Sequence, residues 1–534
     1  MAASGIPYGG APDALGEGLA RNAVTQPARN AVTQPADISE ALAELLGETA
    51  RPYNGFRTIA DEQLADRVLN LVLDHERTKY PLRRARSAAA LAEFRDHVLA
   101  MFADVVHCWL THGPRRAVHI SKDNTRRVSR YSAPGDKPWQ RNKVFELFKS
   151  LGWIKVVAAG SHLERRRTVI QATPELVRLA ADLGFTAEGL PLAHRRVETV
   201  VSKGPPKDAE DAEQSVWLEY RDEDAPFDIR AEREVIRDLN AWLASARIEY
   251  TDADTAHLVD LSRRTLRRFY WRDWTGSRIF GDAFWMAMPR TREGVEYPRR
   301  GAREFLRING HRAVTLDFAA CMPRLAFARV GHRLDRAPYA VPGFEQYRDG
   351  IKKVFAALLF CKGKLARWPK DARALFPEGT RIGAVVSAIE RHLPELRPLF
   401  GAEVGHELFR VESDILLDVL VRLRAMNIHA LPIHDAVIVG EPHAEIAKAV
   451  MLEAFERRTG QPGAVEREET KSASTAAGAS AGTSVASAVA SVASAASPPE
   501  PKIDHAELRA LHRGVIRSAA AGLPPSVDLA CFVV

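Results

Sequence analysis

Two aspartates, each delivered at the end of an apolar strand, constrain this chain more than any other feature of it. The run Arg312 to Phe318 (RAVTLDF) reads as a buried strand that presents a lone carboxylate, Asp317, at its end, followed by an apolar helix start containing Arg324 and Leu325. Far downstream, Ala430 to Val439 (ALPIHDAVIV) reads as two short strands that meet at His434 and Asp435. A carboxylate at a polar tip between two apolar arms is a costly placement unless it binds something. Brought into one sheet, the two aspartates make a site for two divalent cations about 3.5 to 4 Å apart. Taken singly, Asp317 also suits a helix N-cap and His434 a structural histidine. The pair is what favours metal chemistry.

Three further segments lie in a fixed order around these strands. Asp273-Trp274-Thr275-Gly276-Ser277-Arg278 precedes them; Arg348, Lys352, Ala356 and Phe360 recur every four residues on one helical face between them; Val411-Glu412-Ser413-Asp414-Ile415 opens a long amphipathic helix into the His434-Asp435 tip. Taken alone, Arg348 and Lys352 also suit the solvated face of a helix, and Arg278 a solvated basic end.

In that order the segments resemble the motifs of right-hand polymerases. LDFAACMPR is similar to motif A of family A DNA polymerases, in which a metal-binding Asp opens the motif and an Arg stands seven residues on, as Asp317 and Arg324 do. IHDAVIV resembles motif C of those enzymes and of single-subunit phage-type RNA polymerases. The Arg348 face resembles motif B, and Asp273 to Arg278 resembles the DxxGR element of the phage-type enzymes with one residue inserted before the Arg. The resemblance implies two Mg²⁺ ions, with Mn²⁺ as a substitute, on Asp317 and Asp435. It also implies that Arg348 and Lys352 grip the triphosphate, that Phe360 stacks near the nascent pair and that Arg324 braces the site. Asp273 and Arg278 would meet the template, and His434 the primer end. Met322 stands where family A DNA polymerases carry a ribose-excluding Glu, and Ala436 where an acid often follows, so the choice between DNA and RNA is not implied. A small, divergent member from a mobile element is the kind of protein this pattern fits.

Charge adds a second line. Lys and Arg number 75 against 68 Asp and Glu, a net +7, and the basic residues cluster: Arg115, Arg116, Lys122, Arg126, Arg127 and Arg130; Arg165, Arg166 and Arg167; and Arg263 to Arg278. Each cluster suits a phosphate track. From Gln140 to Leu179 the order is helix, strand, basic turn, strand, helix, with Thr173 as N-cap and Pro174 at the first helical position. That order resembles a winged helix, whose hairpin turn touches DNA backbone, and equally describes an ordinary α+β module with a solvated turn.

The expected organisation is a leader over 1–37 with the tandem repeat ARNAVTQP, a helical and winged-helix-like DNA-binding region over 38–200, and a connector over 201–230. A polymerase-like palm and fingers would occupy 231–465, an Ala/Ser/Pro linker 466–501 and a tail 502–534, with helices expected from Ala231 to about Phe269. The expected fold class is α+β and helix-rich: an antiparallel palm sheet with helical fingers, preceded by the winged-helix-like domain. Cys108, Cys321, Cys361 and Cys531 show no paired spacing, and no uncharged apolar run reaches membrane-spanning length, so the expectation is a cytoplasmic protein without a membrane partner. The expected activity is template-dependent nucleotidyl transfer, with nucleic acid and nucleoside triphosphates as partners. The alternative from another class is a catalytically silent DNA-binding replication or regulatory protein of a plasmid or integrated element.

Overall fold

The computed structural model describes residues 50–122, 128–160, 167–204, 216–253, 255–271, 274–288, 291–292, 295–296 and 301–468. The leader, Arg126, Arg127, Arg165, Arg166, Asp273 and nearly all of the expected linker and tail lie outside these residues.

The N-terminal unit opens with a two-residue strand, β1 (Arg51–Pro52), and two packed helices. In α1 (Glu62–Lys79) Asp61 accepts from the Gln63 and Leu64 amides, and in α2 (Ala88–His112) Ser87 accepts from Ala90, so each begins at a side chain that satisfies an otherwise orphaned N–H. After β2 (Val118–Ile120) come α3 (Pro138–Ser150), β3 (Ile154–Ala158), β4 (Thr168–Ala172) and α4 (Pro174–Asp182), the order that the sequence predicts. Thr173 caps α4 by accepting from Leu176. The sheet runs β1-β2-β4-β3 and closes over Phe94, Phe102, Phe145, Phe148 and Trp153.

Under this sheet lies a web of buried charge. Asp104 of α2 receives Arg51 at 3.0 and 2.9 Å and Arg57 at 3.2 Å. Arg57 reaches on to the Ser262 hydroxyl at 2.6 Å, and Arg51 lies 3.6 Å from Asp260. Beside it, burial and then the Arg57 charge pull the His107 imidazole down to about 2, and burial first pulls His119 and His194 to about 4 each. A histidine held neutral in the fold binds fewer protons than it does unfolded. The stability it supports is therefore complete above about pH 6.5 and is lost as pH falls from there towards the folded value. The denaturation midpoint should drop between pH 6.5 and 4, and His107→Gln should flatten that slope; an unchanged slope would sink the assignment.

The region expected as a connector contributes two strands instead, β5 (Val200–Gly204) and β6 (Val216–Leu218). Helix α5 (Ile229–Ser245), capped by Asp228, matches the expected helix start, but the chain then forms β7 (Ile248–Tyr250) and β8 (Arg264–Trp271) rather than continuing as helix to Phe269. The reason is Arg268. It lies on the buried face of β8 between Leu266 and Tyr270, where Glu232 at 2.6 Å and the Asp414 carboxylate neutralise it, so an apolar alternation is hidden behind a charged letter. Strand β9 (Ser277–Ala283) completes the sheet β6-β5-β8-β9, and Gly281 crosses β8 so closely that a Cβ would lie 2.2 Å from the Thr265 carbonyl. A small hairpin, β10 (Thr291–Arg292) and β11 (Val295–Glu296), follows.

The second large sheet is antiparallel throughout. It contains β12 (Leu306–Ile308), β13 (His311–Phe318), β14 (Ala430–Ile433), β15 (Ala436–Gly440) and β16 (Val465–Arg467), in the order β14-β15-β13-β12-β7 with β16 pairing the end of β13. Five helices accompany it: α6 (Cys321–Arg329), α7 (Arg348–Phe360), α8 (Ile382–His392), α9 (Gly405–Ala425) and α10 (Ala444–Thr459). Leu316, Phe318, Leu416, Leu420, Val437 and Phe455 share one core between them. The architecture is mixed and helix-rich, with mostly antiparallel sheets, and among the described residues no helix is long and apolar enough to cross a membrane.

Candidate active site

Strand alternation places the first aspartate. Along β13, Val314, Leu316 and Phe318 point into the core, so Thr315 and Asp317 fall on the opposite, half-buried face. Helix α6 begins only at Cys321, after Ala320 at φ 52°, and no side chain caps it. Asp317 is therefore not its N-cap.

The second aspartate sits on the tip of the β14–β15 hairpin. Ile433 pairs with Ala436, so His434 and Asp435 form a two-residue turn, with His434 exposed at φ 53°. A left-handed histidine is strained backbone, and such strain concentrates at functional positions. Two hydrogen bonds hold the tip: the Phe318 amide donates to the Asp435 carbonyl at 3.3 Å, and the Trp285 indole donates to the Pro432 carbonyl at 2.8 Å. Asp317 pairs with Ala436 across the same ladder. The two aspartates, remote in sequence, thus lie at one end of the same sheet, Asp317 on β13 and Asp435 in the turn that leads into the neighbouring β15.

A third carboxylate joins them that the sequence did not single out. Burial, and then the charges of Asp435 and Asp317 against the opposing Arg278, push the Glu412 carboxyl of α9 up to about 7. Burial also raises Asp435, while a backbone N–H, Arg278 and Lys352 pull it back. The buried Cys321 thiol is raised by burial and then by Glu412, Asp435 and Asp317, so all three acids lie within electrostatic reach of it. Glu407, Glu412, Asp414 and Asp418 all lie along α9, and only tertiary packing distinguishes Glu412 among them.

Arg278 balances this charge. Its Nη2 donates to Glu412 at 3.3 Å, its guanidinium lies 3.7 Å over the Phe409 ring, and its Nε is buried without a hydrogen-bond partner. Gly276 lets β9 approach α9, since a Cβ there would lie 2.9 Å from that of His406. On α7, Arg348 and Lys352 are exposed; Lys352 acts on Asp435, and Arg348 lies 5.4 Å over Tyr339. Phe360 is half-buried against His406 (5.1 Å) and Phe409 (4.8 Å), so its ring builds the platform beneath Arg278. Arg324 donates from Nε to the Ala319 carbonyl at 2.9 Å and braces the turn after β13. Arg167 lies in the N-terminal unit, beside His119 at 3.4 Å.

Among the described residues no group of three or more His, Cys, Asp or Glu is gathered tightly enough to cage a metal ion. Asp317 and Asp435 instead bear on Glu412, whose carboxyl they raise, and such an excess of negative charge is of the kind a divalent cation relieves. Glu412→Gln should therefore melt a few degrees higher than the parent at pH 8 without divalent cations, because ionised Glu412 opposes the fold above about pH 7. Added Mg²⁺ should shrink that gain; a lower melting temperature at pH 8 would contradict the account. No family model matches this sequence, and no curated protein is similar to it.

Proposed function

We propose that this chain is a template-dependent nucleotidyltransferase of the right-hand polymerase kind, acting through Asp317 and Asp435. The observation that carries the reading is the placement of Asp317 on β13 beside the hairpin turn that holds Asp435, with Glu412, Arg278 and Lys352 within electrostatic reach. The similarity of the same segments, in the same order, to the polymerase motifs supports it independently of the electrostatics.

In the reaction the 3′ oxygen of a primer forms a bond to the α-phosphorus of the incoming triphosphate. The bond from that phosphorus to the bridging oxygen breaks, its electron pair leaves with pyrophosphate, and the hydroxyl proton passes to solvent. Two divalent cations, Mg²⁺ or Mn²⁺, held by Asp317 and Asp435 would supply the Lewis acidity that lowers the hydroxyl pKa and offsets the leaving charge. Lys352 and Arg348 hold the triphosphate, since both are exposed and Lys352 already acts on Asp435. Arg278, with its unpartnered Nε, positions the template. Phe360 acts from below, by fixing Phe409 and so Arg278.

The N-terminal helix–strand–strand–helix unit is read as a winged helix that holds duplex DNA, with Arg167 at the base of its hairpin. The place of action is the cytoplasm, at the nucleoid. Primer extension with separate deoxynucleotide and ribonucleotide pools tests the activity. Incorporation that needs a template and Mg²⁺ supports it; DNA binding without incorporation in either Mg²⁺ or Mn²⁺ would leave a silent DNA-binding replication protein instead.

A further inference from the structure

Thr265, Arg267 and Phe269 share the face of β8 opposite Leu266, Arg268 and Tyr270, with Phe269 buried against Tyr131 and Val201, and the ladder sets them opposite Asp282, Phe280 and Arg278 of β9. Side chains directly opposite share a face, so this face presents Arg267 beside Phe280 and, two residues along, Phe269 beside Arg278. That step is about 7 Å, close to the length of one nucleotide in an extended strand. Phe280 stacks on the buried Phe269 at 3.9 Å and 9°, a rigid half-exposed platform, and the Lys203 ammonium lies 4.5 and 4.6 Å from the two ring centres.

At the Arg267 end the face opens into a cavity of about 300 Å³ between the N-terminal unit and this sheet, lined also by Arg51, Arg167, Tyr131 and Trp217. Its arginines are not equivalent. Arg51 is neutralised by Asp104 and Asp260, and Arg263 by Asp282. Arg267 pairs with no carboxylate among the described residues; it lies 5.0 Å over the Trp217 ring, and its Nε is buried without a hydrogen-bond partner. Burial pulls its pKa below the ordinary guanidinium value, so the charge is held there at a cost that a bound anion would offset. A guanidinium without an ion pair among the described residues, lining a cavity, an aromatic platform one step on and a second arginine towards the aspartates form the alternation of cation and ring by which proteins track a single strand.

We infer that the β8–β9 face is an entry track for single-stranded nucleic acid, with a phosphate seated against Arg267 in the cavity and a base on Phe280 before the strand reaches Arg278. Only the destination of the strand rests on the polymerase reading; the binding itself does not. Anisotropy titration of the full chain with a dye-labelled oligothymidylate across a salt series tests it. Arg267→Gln and Phe280→Ala should each weaken binding about tenfold, and the Arg267 change should also reduce the slope of log affinity against log salt by about 0.7. Arg267→Lys, which keeps the charge, should restore that slope.

Equal affinity for 5′-phosphorylated and 5′-hydroxyl strands would assign the seat to an internal phosphate, and a preference for the former to a terminal one; each supports a strand phosphate at Arg267. Parent-like affinity and slope in both variants, with unchanged melting temperature, would overturn the track, as would Arg267-dependent displacement of the strand by free dTTP. Incorporation that persists while Arg267 proves irrelevant to binding would reject the track alone. Arg267-dependent binding in a protein that never incorporates nucleotide would reject the polymerase reading alone.

Discussion

Asparagine at either Asp317 or Asp435 should lower the proposed Mg²⁺-dependent incorporation on a primed template by at least about a hundredfold, because the cations would be asked for several kcal/mol of transition-state stabilisation and each 1.36 kcal/mol is tenfold. Asparagine keeps the shape and an oxygen donor but removes the negative charge that holds a hard cation. DNA affinity should change by less than about twofold, since the cationic groups that meet phosphate are untouched. Stability should not fall in Asp435→Asn, because burial already raises that carboxyl and its charge opposes the fold. Both effects are read in one preparation by single-turnover extension, mobility shift and thermal melting. Full incorporation in both variants, or inactivity explained by a lower melting temperature, would remove the catalytic account.

The largest effect on stability is expected at Asp104, where alanine costs about 3–5 kcal/mol. The carboxylate has no exposed side-chain surface and accepts from Arg51, from Arg57 and, at 3.1 Å, from the Asn54 amide. Removing it strands two buried guanidinium groups whose remaining carboxylate neighbour among the described residues is Asp260, at 3.6 Å from Arg51. Asp260 itself stays ionised as pH falls. Burial would raise its carboxyl, but Arg51 and Arg57 outweigh that and hold it far below the usual range. The same web joins α2 to the start of β8 through Arg57 and Ser262, so Asp104→Ala should also loosen the cavity wall that Arg51 lines. Equilibrium urea unfolding measures the loss; a midpoint within error of the parent would show that the web contributes packing only.

What the sequence discloses and what it hides divide along one physical line. The strand before Asp317, the hairpin around His434-Asp435 and the helix–hairpin–helix order from α3 to α4 were legible because their apolar residues follow the period of the element and Thr173-Pro174 marks a helix start. Wherever charge goes inside, the pattern fails. Buried Arg268 disguised β8 as part of a helix, and Val200 and Val201, both fully buried, were overlooked at the edge of a charged stretch. Arg51, Arg57 and Asp104 carry no sequence sign of meeting, since 53 and 47 residues separate the partners. Glu412 was one acid among several on its helix until packing set it against Asp435, and Phe360, at the expected spacing for base stacking, is turned towards Phe409.

The claim beneath all of this is that residues 317 and 435 hold the same cations. Fe²⁺ substituted for Mg²⁺ and supplied with ascorbate generates radicals that cut backbone beside the bound metal, so fragment mapping reads the site directly. The account predicts cuts near both Asp317 and Asp435, suppressed by excess Mg²⁺, with both cuts lost in Asp317→Asn and both lost in Asp435→Asn. Cuts confined to other segments, or a variant that loses one cut and keeps the other, would contradict it.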